Sequence, residues 1–165
     1  MSYFEHELCE KANRILAACR QHGTKLATVE SCTGGLLSAI LTELPGSSAM
    51  FTHGFVTYAN DAKCEMVGVD LALIAQHGAV SEQVARAMAE GALHCSSTDL
   101  AVAITGIAGP TGGTVDKPVG TVHLACAMHG KVTLHQHKVF AGDRSDIRRA
   151  AVDSALDLIL QELAH

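Results

Sequence analysis

The run DLAVAI at residues 99–104 is apolar at every position after the first, with none of the polar alternation of a strand that wets one face. A segment of that length and pattern fits a β-strand covered on both sides, and it sets a buried sheet between helices as the frame for the rest of the chain. The surrounding sequence supplies the layers. Leu8, Ala12, Ile15, Leu16 and Cys19 recur at helical spacing within residues 4–22, and Gly23 follows as a left-handed cap. Strands are expected at 25–30 and 50–58, the second rich in Phe, Val and Thr. A helix is expected at 36–44, stopped by Pro45, and a shorter one capped by Asn60 or Asp61 and running through Lys63 and Met66. Ser81 is placed to cap a helix over 82–94. Residues 121–128 and 132–139 read as a hairpin about Gly130, and Asp143 and Asp146 flank the start of a last helix ending near Leu163. The order predicts an α/β fold, a three-layer α/β/α sandwich with a mixed β-sheet. With 165 residues and 48% hydrophobic content, residues 1–165 are expected to form one domain whose core needs neither disulfides nor metal.

Charge and cysteine usage narrow the function classes. A net charge of −5 gives no general attraction to nucleic acid or to anionic lipid, so neither is expected as a partner. The one tight basic group, Arg144, Arg148 and Arg149, is sized for a single phosphate. The six cysteines contain no C-x-x-C and fall mostly in apolar or helical patterns, which predicts reduced thiols. No apolar run approaches the roughly 18 residues of a bilayer span, and the first residues are acidic where a secretory signal is basic, so a cytoplasmic location is expected.

In sheets of this kind ligands gather at loops leaving the C-terminal ends of strands, where helix N-termini offer free N–H groups. Four such loops stand out: 30–35, 58–63, 105–114 and 141–144. Together they supply hydroxyls, glycines, a tyrosine, a lysine and an arginine, a set suited to holding a phosphate and attacking a carbonyl. The glycines match neither the dinucleotide-binding nor the P-loop spacing, which disfavours both readings. His135 and His137 share one face of a strand, but no carboxylate or cysteine stands beside them at ligand spacing, and no metal is expected. Ser31, just after a strand and before a glycine-led helix, is a candidate nucleophile by position.

Seven segments, ESCTGG (30–35), PGSS (45–48), GFVTY (54–58, with Asn60 and Lys63 beyond), GAVSE (78–82), TGIAGP (105–110), KPVGT (117–121) and GDR (142–144), resemble the CinA C-terminal family in that family's order, over nearly the whole chain. The resemblance implies cofactor-free hydrolysis of the carboxamide of nicotinamide mononucleotide, giving nicotinic acid mononucleotide and ammonia in pyridine nucleotide salvage. It favours Ser48 as nucleophile, with Lys63 and Tyr58 activating it, and leaves Ser31 as the rival. As base, Lys63 must lose its proton near neutral pH, which burial or a nearby cation would have to bring about; without that it is an electrostatic stabiliser instead. Substrate contacts are expected from Ser31, Thr33, Gly34, Gly46, Thr105, Gly106 and Arg144, the last on a 5′-phosphate. A homodimer or higher homo-oligomer is expected on the same grounds. The competing readings are a non-catalytic nucleotide-binding or interaction module linked to competence or DNA damage, and an amidase for another small amide.

Overall fold

A computed structural model describes residues 4–164. In chain order the elements are α1 (His6–His22), β1 (Leu26–Glu30), α2 (Leu36–Thr42), a 3-10 turn (Ser47–Ala49), β2 (Phe51–Val56), α3 (Asn60–Val67) and α4 (Leu71–His77). They continue with α5 (Glu82–Ser96), β3 (Leu100–Gly106), β4 (Thr121–Met128), β5 (Leu134–Val139) and α6 (Arg144–Leu163). The sheet runs β2-β1-β3-β4-β5, with β1, β2 and β3 parallel and the β4–β5 hairpin antiparallel, so it is mixed as expected and β3 lies at its centre.

The period-two alternation of the inner strands sorts their residues by size. Leu100, Val102 and Ile104 of β3, with Val122, Leu124 and Cys126 of β4, face a core filled by α1, α2 and α6. Their neighbours Ala101, Ala103, Ala125 and Ala127 face the other layer, where α5 presents Ala85, Ala89 and Ala92. Small residues on both sides let α5 lie close to the sheet, and the larger side chains on the opposite face fill the wider gap beneath α1 and α6. Gly91 carries the same tightness outward, because a Cβ there would run into the carbonyl of Val67 at the end of α3.

Two local details depart from expectation. The N-cap of α3 is Ala59, with no side-chain cap, so neither Asn60 nor Asp61 plays that part. The helix α4 was not foreseen; its seven residues are mostly exposed, and Asp70 caps it by accepting from the Ala72 N–H. Ser81 caps α5 as expected, and Asp143 with Asp146 forms a capping box on α6. Among the described residues, which include all six cysteines, there is no disulfide. Among the described residues no helix is long and apolar enough to cross a membrane.

One buried carboxylate joins the two ends of the first strand-to-helix turn. Glu30, the last residue of β1, has no solvent exposure. One oxygen accepts from the N–H groups of Gly35 and Leu37, each at 3.1 Å. The other accepts from the Ser38 N–H at 2.8 Å and the Ser38 hydroxyl at 2.9 Å. A carboxylate at a helix N-terminus completes donors that have no partner within the helix and meets the positive end of its dipole. Residues 31–34 are thereby held as a closed loop between two anchored ends. Glu30→Gln keeps the size but sets an NH2 group against backbone donors, and is expected to destabilise the protein by about 1.5–3 kcal/mol, the range for a charged hydrogen bond, in denaturant unfolding.

Candidate active site

Because β1, β2 and β3 are parallel, their C-terminal ends lie side by side, and the loops leaving them wall a cleft of about 320 Å3. Ser31 lies at its floor. The Ser31 N–H donates to the Ile104 carbonyl at 2.9 Å, which fixes the residue to the central strand. Lys63 reaches in from α3 and is only 1% exposed. Its Nζ donates to the Thr57 carbonyl at 2.9 Å, the Tyr58 carbonyl at 3.5 Å and the Ser31 hydroxyl at 3.2 Å.

That arrangement determines what the amine does when it loses a proton. As an ammonium it has three donors for three acceptors. As a neutral amine it keeps two N–H groups, and the two carbonyls can only accept, so the lone pair falls to the one neighbour able to donate, the Ser31 hydroxyl. Burial lowers the Lys63 pKa from the ordinary 10.5, favouring the neutral form. Thiolates at Cys32 and Cys64 would oppose this, but burial pushes the Cys32 thiol up to about 11 and keeps it neutral.

The cleft's rim has one strong anion-binding group. Arg144, the first residue of α6, donates to the Gly109 carbonyl at 2.8 Å and to the Tyr58 hydroxyl at 2.9 Å, bridging two walls. Arg144 brings a positive charge to the cleft, and among the described residues no carboxylate lines it, so an acidic protein presents a locally positive rim there. Gly106 at the floor is required by space, since a Cβ there would lie 2.8 Å from a Val122 methyl, 2.9 Å from the Thr121 carbonyl and 3.2 Å from Cys32 Sγ.

The family of the CinA C-terminal domain matches residues 9–163. This chain belongs to that family. It is 45% identical over 158 residues to the nicotinamide-nucleotide amidohydrolase PncC of Escherichia coli strain K12, covering 96% of each chain. It is 52% identical over 144 residues to a CinA-like protein of Geobacter sulfurreducens, a match that takes in 87% of this chain and 35% of that longer protein. Among solved structures, the competence/damage inducible protein CihA from Agrobacterium tumefaciens shares the fold with a TM-score of 0.96 and 46% identity over the whole of both chains.

Within this CinA C-terminal fold the expected site residues separate into two groups. Ser31, Tyr58, Lys63, Thr105, Gly106 and Arg144 line the cleft. Ser48 does not join them. It is exposed, in the 3-10 turn that precedes β2, whereas Lys63 and Tyr58 follow that strand. The six residues of β2, at about 3.3 Å each, put roughly 20 Å between the strand's ends, too far for Ser48 to reach Lys63. Gly46 lies at the same remote end, its carbonyl accepting from Arg20. Thr33 is fully buried and Gly34 is exposed, and neither lines the cleft.

Two side chains of the cleft have partners within it. Tyr58 meets Lys63 through its carbonyl, while its hydroxyl accepts from Arg144. The Thr105 hydroxyl donates to the Ala79 carbonyl at 2.9 Å, which ties the loop before α5 to the cleft and occupies the hydroxyl's proton. The free N–H groups expected at the start of α2 are taken up by Glu30, so Arg144 and the glycine-rich loop are left to hold an anion. Asn60, Ala79 and Val80 also line the cleft, and only their membership of the 58–63 and 78–82 segments signalled them.

The histidines form a stack of their own. His123 lies 2.9 Å from His135 through ring nitrogens and stacks on His137 with ring centroids 4.5 Å apart, and burial pushes its pKa down to about 4. Near-parallel rings do not aim their lone pairs at a common point. Among the described residues no group of three or more His, Cys, Asp or Glu side chains is arranged to hold a metal ion.

Proposed function

We propose that this protein is a nicotinamide-nucleotide amidohydrolase in which Ser31 is the nucleophile and Lys63 its base. The observation that carries the reading is the buried Lys63 amine 3.2 Å from the Ser31 hydroxyl, oriented by two carbonyls. The substrate class rests on the PncC relative, matched over 96% of both chains, and on a cleft with the Arg144 guanidinium at its rim and, among the described residues, no carboxylate in its lining. Nicotinamide mononucleotide supplies what such a cleft takes: a 5′-phosphate for the arginine and a carboxamide for the serine.

The chemistry balances within this pair. Ser31 Oγ bonds to the carboxamide carbon as its proton passes to Lys63 Nζ. The tetrahedral intermediate collapses, its C–N bond breaking while Lys63 returns the proton to the departing nitrogen, and ammonia leaves an ester on Ser31. Water entering in place of ammonia gives its proton to Lys63 and its oxygen to the acyl carbon. The ester bond breaks, Ser31 regains a proton, and nicotinic acid mononucleotide departs.

Ser31→Ala is expected to lower kcat for ammonia release by roughly 10³-fold or more, while Ser48→Ala leaves it unchanged. Retained turnover in the first and loss in the second would return the nucleophile to Ser48. Since the base must be unprotonated, kcat/KM rises with pH through the Lys63 pKa of the free enzyme, in a limb lying below the ordinary lysine value of 10.5. A profile flat across the neutral and alkaline range in stopped assays would exclude Lys63 as the titrating base. Removing the 5′-phosphate, by assaying the nucleoside, is expected to cost about 1.5–3 kcal/mol in kcat/KM, and Arg144→Ala abolishes that discrimination.

A further inference from the structure

The segment carrying Ser31 is held from two sides, and only one belongs to the β1–α2 unit itself. On that side Glu30 gathers the N–H groups of Gly35, Leu37 and Ser38. On the other stands Arg148, reaching across from α6 in a contact spanning 116 residues of sequence. Its Nε donates to the Cys32 carbonyl at 3.1 Å and its Nη2 to the Thr33 carbonyl at 2.9 Å. Two donors of one rigid plane thus grip two consecutive peptide groups immediately after Ser31, a fork that fixes rotation as well as distance. Within the loop the Gly34 N–H donates to the Ser31 carbonyl and the Leu36 N–H to the Thr33 carbonyl, the Ser31 N–H is tied to Ile104, and the buried Thr33 hydroxyl has no hydrogen-bond partner.

We propose that Arg148 is a positioning residue that holds Ser31 in line with Lys63 by clamping the carbonyls of Cys32 and Thr33. The proposal rests on the reading of Ser31 as nucleophile. Arg148 does not line the cleft, and Arg144 does, one helical turn earlier on α6. The helix therefore serves the site twice, by an arginine on the substrate side and by one behind the nucleophile. A peptide plane that turns when the clamp is lost carries the serine off its approach to the amine, and a misplacement of about 1 Å is enough to cost on the order of 10²-fold in rate.

The test compares Arg148→Ala, Arg148→Lys and, as control, Arg149→Ala, whose guanidinium pairs with Glu5 and Asp146 away from the loop. Each is measured for ammonia release from nicotinamide mononucleotide, for nucleotide affinity by calorimetry, for the rate at which a sulfonyl fluoride labels Ser31, and for Tm. Arg148→Ala is expected to lower both kcat and the labelling rate on the order of 10²-fold with KM and Kd little changed, and added guanidinium restores part of both. Arg149→Ala behaves as the unsubstituted protein. If Arg148→Ala does not fold, Arg148→Lys carries the same test, because a single point of donation lacks the planar fork that fixes rotation, and its two rates must still fall. Rates within a few-fold of the unsubstituted protein in a folded variant, or a loss that tracks Tm and ignores guanidinium, would overturn the positioning role. Failure of the underlying reading shows separately, as an unsubstituted enzyme that is not labelled at Ser31 and keeps turnover in Ser31→Ala.

Discussion

Glu30 is a charge with no access to water, and the site depends on how that charge is satisfied. An isolated carboxylate in such a place would be prohibitively costly, so its lone pairs must all find donors. They find them in the first turn of α2, which bends the chain back over the end of β1 within five residues. The loop between has no choice but to project Ser31 at the sheet's edge, with its own N–H tied to the central strand. The same bonds use up the anion-binding capacity of that helix start. The guanidinium that faces the cleft, Arg144, stands on another wall, bonded to the Gly109 carbonyl and the Tyr58 hydroxyl.

Lys63 works by the opposite logic. Its amine is buried without a carboxylate partner, so burial favours the neutral form and the two carbonyls at Thr57 and Tyr58 orient it. Both carbonyls sit in the short connection between β2 and α3, so the strand end that delivers the lysine also builds its socket. A buried anion that stabilises a turn and a buried amine poised to be neutral stand on either side of Ser31. Gly106, at the end of the neighbouring strand, has no space for a side chain.

Much of this fold was legible in the pattern of residues. The unbroken apolar run of β3 marked the central strand because both its faces are covered, and caps at Ser81 and Asp143 marked helix starts because a side-chain acceptor there meets a specific backbone need. The helix α4 escaped because it is short and mostly exposed, leaving almost no apolar period to read. Six of the residues expected at the site do line one cleft, all of them near the C-terminal ends of the parallel strands or at the start of α6.

By itself the sequence marked which loops open onto one cleft, since strand-to-helix order and glycine content fix where backbone can open toward a ligand. It also supplied the serine, lysine and arginine. Which serine meets the lysine was decided only in three dimensions. Ser48 is the nearer to Lys63 along the chain, 15 residues against 32, but β2 runs between Ser48 and the lysine and carries them to opposite ends of the strand, while parallel pairing brings the end of β1 beside the end of β2. The grip of Arg148 on the Ser31 loop was likewise invisible, because a contact across 116 residues leaves no local period or cap to betray it.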